Sequence, residues 1–177
     1  MTASLRIPVA QASAAIYHFR DDVRADDCHS VRALISKTGY FRADEIDIAV
    51  ELVEERLSRG VASGYEFLFV ETGTSLAGYA CFGQIPCTIS SYDLYWIAVD
   101  PDHQRNGIGR GLIAAVQSRV LAVGGDRIYI DTSGKDQYSP TRKFYERSGF
   151  ACDARLKDFY GPGDDRVIYA KILAPGS

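Results

Sequence analysis

The sequence predicts a mixed α/β domain of about seven strands and about four helices. Three observations predict it. Short apolar runs of strand length alternate with longer stretches whose apolar residues recur at helical spacing. Gly, Pro, Ser and Asp punctuate the joints between them. At Val99 an apolar run passes through Asp100-Pro101 into a glycine-rich loop that opens an amphipathic helix. Strands and helices mixed in this order form layered architectures with one shared core.

In chain order, residues 1 to about 13 are small and polar and read as a loose terminus. Ile16 to Arg20 reads as a short first strand. Cys28, Val31, Leu34 and Ile35 recur at helical spacing, as do Ile46, Val50, Val53 and Leu57, with Gly60 as the stop. Tyr65 to Glu71 and Leu76 to Gly83 flank Thr72-Gly73-Thr74-Ser75 and read as a hairpin. Tyr92 to Val99 is the next strand. Ile108, Leu112, Ala115, Val116, Val120 and Val123 mark one face of a long helix that stops near Gly124-Gly125. Arg127 to Asp131 is a strand. Ser139 to Ser148 is a short helix, with Ser139 as N-cap, Pro140 in the first helical position and Gly149 at C′. Phe150 to Leu156 and Val167 to Leu173 are the last strands, separated by a Gly161-Pro162-Gly163 turn. No repeat or interdomain linker interrupts the chain, and residues 1–177 read as one domain.

Size and charge bound the function. A chain of 177 residues can bury a substantial single core. The net charge of −3, with both signs interspersed, argues against a nucleic-acid binder, which needs a basic surplus. No apolar run is long enough to span a membrane, and Pro8, Gln11 and Ser13 break any signal-peptide core, so the expected compartment is the cytoplasm. Cys28, Cys81, Cys87 and Cys152 form no C-x-x-C pair and His18, His29 and His103 are scattered, so no metal site is expected.

The chemistry concentrates in Leu94 to Gly109, L-Y-W-I-A-V-D-P-D-H-Q-R-N-G-I-G. A glycine loop at a helix start aims backbone N–H groups at an anion, and the helix dipole adds positive charge at the same place. Gly107 and Gly109 lack a Cβ, so a phosphate is expected to approach the main chain there. The spacing excludes other phosphate loops. A dinucleotide fingerprint needs G-x-G-x-x-G, but here Gly111 arrives one place early, and no G-x-x-x-x-G-K-[ST] occurs.

What remains, Q-x-x-G-x-G after A-V-D-P, resembles the acetyl-CoA-binding motif of the GNAT superfamily of N-acetyltransferases. A second stretch supports the resemblance: F-Y-E-x-x-G-F at Phe144 to Phe150 resembles the other GNAT signature. The likeness runs from about Ile16 to Ile172 and is specific from Asp93 to Lys171. It implies a mixed, mostly antiparallel central sheet whose fourth and fifth strands run parallel and splay apart. It also implies that the thioester enters that gap, with its carbonyl meeting a backbone N–H among Ile97, Ala98 and Val99. Gln104, Arg105, Asn106, Gly107, Ile108, Gly109 and Arg110 would carry the pyrophosphate, and Arg142 or Lys143 would meet the 3′-phosphate. Ser139 or Thr141, with Phe144 and Tyr145, would line the pantetheine arm. The loop Thr132 to Tyr138 lacks the asparagine that many members use there.

The family also implies roles for titratable groups. Tyr145 would be the general acid; taken alone it reads as an aromatic packing its helix to the sheet. Asp131, at the end of I-Y-I-D, and Asp93, at the start of the fourth strand, compete for the general base. Taken alone, Asp131 reads as a carboxylate capping a turn and Asp93 as a solvated strand start. Tyr40, Phe41, Tyr65, Tyr92, Tyr95, Trp96, Phe159 and Tyr160 are candidate walls of an acceptor pocket, although strand aromatics are mostly packing residues. The reading is an acetyl-CoA-dependent transferase acting on a small amine or amino acid by direct attack in a ternary complex. A protein N-terminal acetyltransferase and a non-catalytic acyl-CoA sensor stay open. Homodimers occur in the family.

Overall fold

The computed structural model describes residues 16–73 and 75–173. The predicted loose terminus and Thr74 of the predicted hairpin turn lie outside them. β1 (His18–Arg20) leads into α1 (Asp27–Thr38) and α2 (Ala43–Arg59), then β2 (Glu66–Thr72), β3 (Ser75–Gln84) and β4 (Ser91–Val99). α3 (Ile108–Ala122), β5 (Arg127–Ser133), α4 (Ser139–Arg147), β6 (Ala151–Gly161) and β7 (Asp164–Ile172) complete the order. The seven strands form one sheet, β1-β2-β3-β4-β5-β7-β6. All neighbours are antiparallel except β4 and β5. This is the mixed, mostly antiparallel sheet with four helices that the family resemblance implies.

Helices cover both faces of the sheet, so its inner strands are apolar on both sides. On one face Val31, Leu34 and Ile35 of α1 and Ala49 and Val53 of α2 pack on Phe67, Phe69, Tyr79 and Cys81. On the other, Ile108, Leu112, Val116 and Val120 of α3 and Tyr145 of α4 pack on Leu68, Val70, Phe82, Leu94, Ile128 and Val167. Phe69 is fully buried, and removal of a side chain of that size from water contributes about 1.5–3 kcal/mol. Among the described residues no helix is long and apolar enough to cross a membrane.

β5 runs on to Ser133 and β7 starts early, at Asp164, and β1 and β6 also depart from the expected limits. β1 is three residues long, because its register with β2 runs from His18↔Glu71 to Arg20↔Phe69 and Ile16 would face the chain where it turns at Gly73. β6 runs on to Gly161, closing a tight turn with the pair Gly161↔Asp164. Between Leu156 and Gly161 its register with β7 is broken, and Asp158 adopts a positive φ of 53°. The Asp165 carboxylate pins that bulge by accepting the Asp158 N–H at 3.0 Å. Val123, expected on the buried face of α3, is exposed because it lies past the last helical residue.

The irregularity that shapes the molecule lies in β4. Against β3, Cys81 pairs with Trp96 but Phe82 pairs with Leu94, so Tyr95 is an extra residue, a β-bulge. The bulge reverses the alternation of faces. Tyr92 and Leu94 point to the α3 side before it, and Ile97 and Val99 do so after it. Gly83 makes room for this turn of the strand. A Cβ there would stand 2.3 Å from the Gly64 carbonyl oxygen and 3.2 Å from the Tyr95 ring. Gly83→Ala is expected to destabilise the fold by about 1–3 kcal/mol, as overpacking does, read as a melting temperature lower by ~2–10 °C. An unchanged melting temperature would contradict this close approach of Gly64 and Tyr95 to Gly83.

Candidate active site

β4 and β5 pair in parallel through Ser91↔Arg127, Tyr92↔Ile128 and Asp93↔Tyr129, and then part. Both strands continue past the last pair, to Val99 and Ser133, so a wedge opens between them. The amides along β4 alternate between β3 and this wedge. The Asp100 N–H donates to the Ala77 carbonyl on β3 at 2.9 Å. By alternation the Ala98 amide is committed to β3, and the amides of Ile97 and Val99 face the wedge. The Val99 carbonyl on the same side accepts the Gln104 side-chain N–H at 3.4 Å.

The loop after β4 is fixed by its own polar groups. Asp100 accepts the Asp102 N–H at 2.9 Å and is bridged by Lys37, from the end of α1, at 2.7 Å. The turn Pro101–His103 follows. Arg105 then takes a positive φ of 65° and Gly107 one of 82°. The first backbone bond of α3 runs from the Gly111 N–H to the Gly107 carbonyl at 2.9 Å. The amides of Ile108, Gly109 and Arg110 therefore have no partner within the helix, and no side chain caps them. They lie at the positive end of the helix dipole, an arrangement suited to a phosphate. Asn106 donates to the His103 carbonyl at 3.3 Å, which braces the loop. Arg105 and Arg110 are exposed beside it, and the Ile108 side chain is buried in the core.

The two glycines differ in their surroundings. Gly107 has open space around it and is required by its positive φ. A Cβ on Gly109 would meet the Phe144 ring at 3.2 Å. Gly109 thus lets α4 approach α3.

α4 also corrects the sequence reading. Ser139 is not an N-cap. The turn Asp136–Tyr138 runs straight into the helix, so Ser139 already has helical angles of φ −56° and ψ −41°. Gly149 does end the helix, at φ 85°, with its N–H on the Glu146 carbonyl and the Phe150 N–H on the Tyr145 carbonyl, a Schellman motif. Arg142 is turned to the protein, donating to the Ser133 carbonyl at 2.7 Å and the Lys135 carbonyl at 2.9 Å. It holds the loop that lacks the family's asparagine. Tyr145 is buried, 5% exposed, among Phe144, Phe150 and Tyr169. Burial pushes its phenol well above the usual range, which keeps the hydroxyl protonated.

Two carboxylates lie at the wedge. Asp93 occupies the last paired position of β4, and Asp131 lies two residues beyond Tyr129, its partner on β5. Burial first, and then the Asp131 charge, push the Asp93 carboxyl up to about 6, with Arg166 opposing. Asp131 is more exposed and is ion-paired with Arg166 of β7. Aromatic pairs surround this side: Tyr65 with Tyr95 at 5.5 Å, Phe41 with Trp96 at 5.0 Å, and Tyr40 with Tyr138 at 5.6 Å. Phe159 and Tyr160 project from the β6 bulge and are about half exposed. Tyr92 lies instead in the core on the α3 side. Sequence reasoning missed Arg166, whose partner is 35 residues away, and Lys37. Among the described residues no group of His, Cys, Asp and Glu could hold a metal ion.

Comparison with known proteins agrees with this architecture. Residues 29–150 match the acetyltransferase (GNAT) family. A GNAT-family protein of Desulfovibrio desulfuricans is 46% identical and superimposes with a TM-score of 0.88, over 90% of this chain and 100% of that one. The ribosomal-protein-S18-alanine N-acetyltransferase of Escherichia coli shares the fold at 17% identity and a TM-score of 0.69, over 92% of this chain and 97% of that one. The yncA protein of Salmonella typhimurium, solved with its cofactor acetyl-CoA, does so at 19% identity and a TM-score of 0.70, over 92% and 97%. No curated protein matches the chain. The fold and the matched family define an acetyltransferase. The chain belongs to the GNAT family.

The raised Asp93 carboxyl has a consequence for stability. A carboxyl whose folded value of about 6 exceeds its unfolded value of 3.8 favours the fold when protonated. Its contribution is fully present below the lower value and is lost as pH rises through the higher one. Asp93→Asn is expected to raise the melting temperature at about pH 7.5 and to leave it unchanged near pH 4. Equal shifts at both pH values would contradict the burial of this group.

Proposed function

We propose that the protein is an acetyl-CoA-dependent N-acetyltransferase whose acceptor is a small primary amine or amino acid. The observation that carries the reading is the wedge, with free amides at Ile97 and Val99 and three more at the start of α3. These groups fit a thioester attached to a pyrophosphate: the α3 amides and the loop from Gln104 to Arg110 would hold the phosphates, and the wedge would hold the arm beside Phe144. Bound acetyl-CoA would supply an activated acetyl thioester, whose acetyl carbon gains a C–N bond to the amine as its C–S bond breaks.

The protein's own groups would do the rest. The Ile97 and Val99 amides stand ready to donate to a carbonyl oxygen in the wedge, an oxyanion-type contact that costs no reorganisation. Asp93 would take the proton released by the acceptor nitrogen; its carboxyl, pushed up to about 6, is charged at neutral pH yet basic enough to accept. Asp131 is the lesser candidate because Arg166 already neutralises it. Tyr145 keeps a proton on its phenol oxygen, available to the leaving sulfur. The aromatic side chains and half-buried carboxylate favour a cationic amine over an anionic acceptor.

Acetyl-CoA at about a hundred times its dissociation constant is expected to stabilise the fold by roughly 2.7 kcal/mol, a rise of ~5–10 °C, with no rise from NAD. No rise with acetyl-CoA would overturn the donor assignment. Thiol release with tyramine, spermidine, free amino acids and an alanine-initiated peptide then finds the acceptor. Tyr145→Phe is expected to lower turnover by about 10²-fold while keeping the acetyl-CoA thermal shift. Full turnover in that variant would leave Tyr145 as a packing residue.

A further inference from the structure

We propose that Arg166 is the positioning residue of the acceptor side: by holding Asp131 in an ion pair it neutralises one of the two carboxylates at the wedge and leaves Asp93 as the proton-accepting group. The inference rests on the assignment of Asp93 under the proposed function, but its test does not.

The register brings the three groups together. Arg166 of β7 stands opposite Ser133 of β5, and Asp131 stands opposite Ile168, so Arg166 and Asp131 are diagonal neighbours on one face of the sheet. Asp93 is opposite Tyr129, and two residues along β5 from Tyr129 comes Asp131, on the same face. Arg166 is held by two contacts. Its guanidinium pairs with Asp131, lies 4.9 Å over the Phe159 ring, and has an Nε that is buried without a hydrogen-bond partner. A guanidinium stays charged at every working pH, and the Phe159 ring beneath it favours the orientation that pairs with Asp131.

The charges facing Asp93 make the consequence specific. From β5 comes Asp131 and from β7 Arg166. Tyr95 of β4 stands beside it, with the Tyr65 ring and Cys81 of β3 next to Tyr95; burial pushes the Tyr95 phenol and the Cys81 thiol up, so both stay neutral at neutral pH. Tyr160 on the β6 bulge faces Asp131 and Arg166, with Asp164 and Glu45 further off. Arg166 is therefore the positive charge that Asp93 meets on this face. Without it, Asp93 and Asp131 become a pair of like charges, and ionising the second is disfavoured. A salt bridge that served only the sheet would affect stability and leave the proton affinity of Asp93 in place.

The test is a carbon NMR titration of the Asp93 carboxyl in the whole chain, with no acceptor or donor added. Wild type is expected to titrate near 6. Arg166→Met is expected to move that midpoint up by about one unit, Arg166→Lys to keep it near wild type, and Arg166→Met with Asp131→Asn to bring it back down. An unmoved midpoint in Arg166→Met, or one that Asp131→Asn does not restore, overturns the proposal, whatever the melting temperatures show. Thiol release by Asp93→Asn, with the acceptor found in the amine screen, tests the base assignment separately: full turnover there removes Asp93 from the chemistry while the titration still decides the role of Arg166.

Discussion

The parting of β4 and β5 after Asp93 and Tyr129 governs what the rest of the molecule can do. Two neighbouring strands in a sheet normally spend their amides on each other. Here the β4 bulge at Tyr95 redirects the strand, and the pairing lasts for only three positions. The cost is a set of backbone groups left without strand partners. The gain is a cleft whose amides are held in place by the sheet and so are preorganised as donors.

The surrounding elements are tied to the edges of this cleft. Lys37 joins the end of α1 to Asp100, at the start of the glycine loop. Gln104 fastens that loop to the Val99 carbonyl, and Arg142 fastens the loop between β5 and α4. The Tyr138 hydroxyl donates to the Tyr40 carbonyl at 2.9 Å, linking the α1–α2 connection to the opposite side. Gly109 allows α3 and α4 to meet through Phe144. The glycine loop and the aromatic side of the wedge are thus held by separate sets of side chains that converge on the same strands. Under the proposed function, that separation would let the loop from Gln104 to Arg110 stay constant while the walls near Tyr40, Phe159 and Tyr160 set the acceptor.

Much of this was legible in the sequence, for physical reasons. The order of strands and helices follows from periodicity, and Gly60 and Gly149 end their helices where expected because each takes a backbone shape that suits glycine. Q-R-N-G-I-G and F-Y-E-R-S-G-F are local motifs, so a linear reading finds them. The bulge was not legible, because Tyr95 is an ordinary strand residue whose extra place exists only relative to β3. Ser139 was misread as an N-cap because the turn before it absorbs it into the helix, and the carbonyls that Arg142 serves lie in the preceding loop, where no local pattern points to them. The pairing of Arg166 with Asp131 depends on the register of β5 and β7, which no local pattern encodes.

Amide hydrogen exchange with and without acetyl-CoA tests the central claim most directly. The account predicts new protection at the amides of Ile97 and Val99 and of Ile108, Gly109 and Arg110, with little change at Ala98, whose amide is already committed to β3. Protection confined to other segments, or equal gains at Ile97, Ala98 and Val99 with none at the start of α3, would contradict the wedge as the donor site.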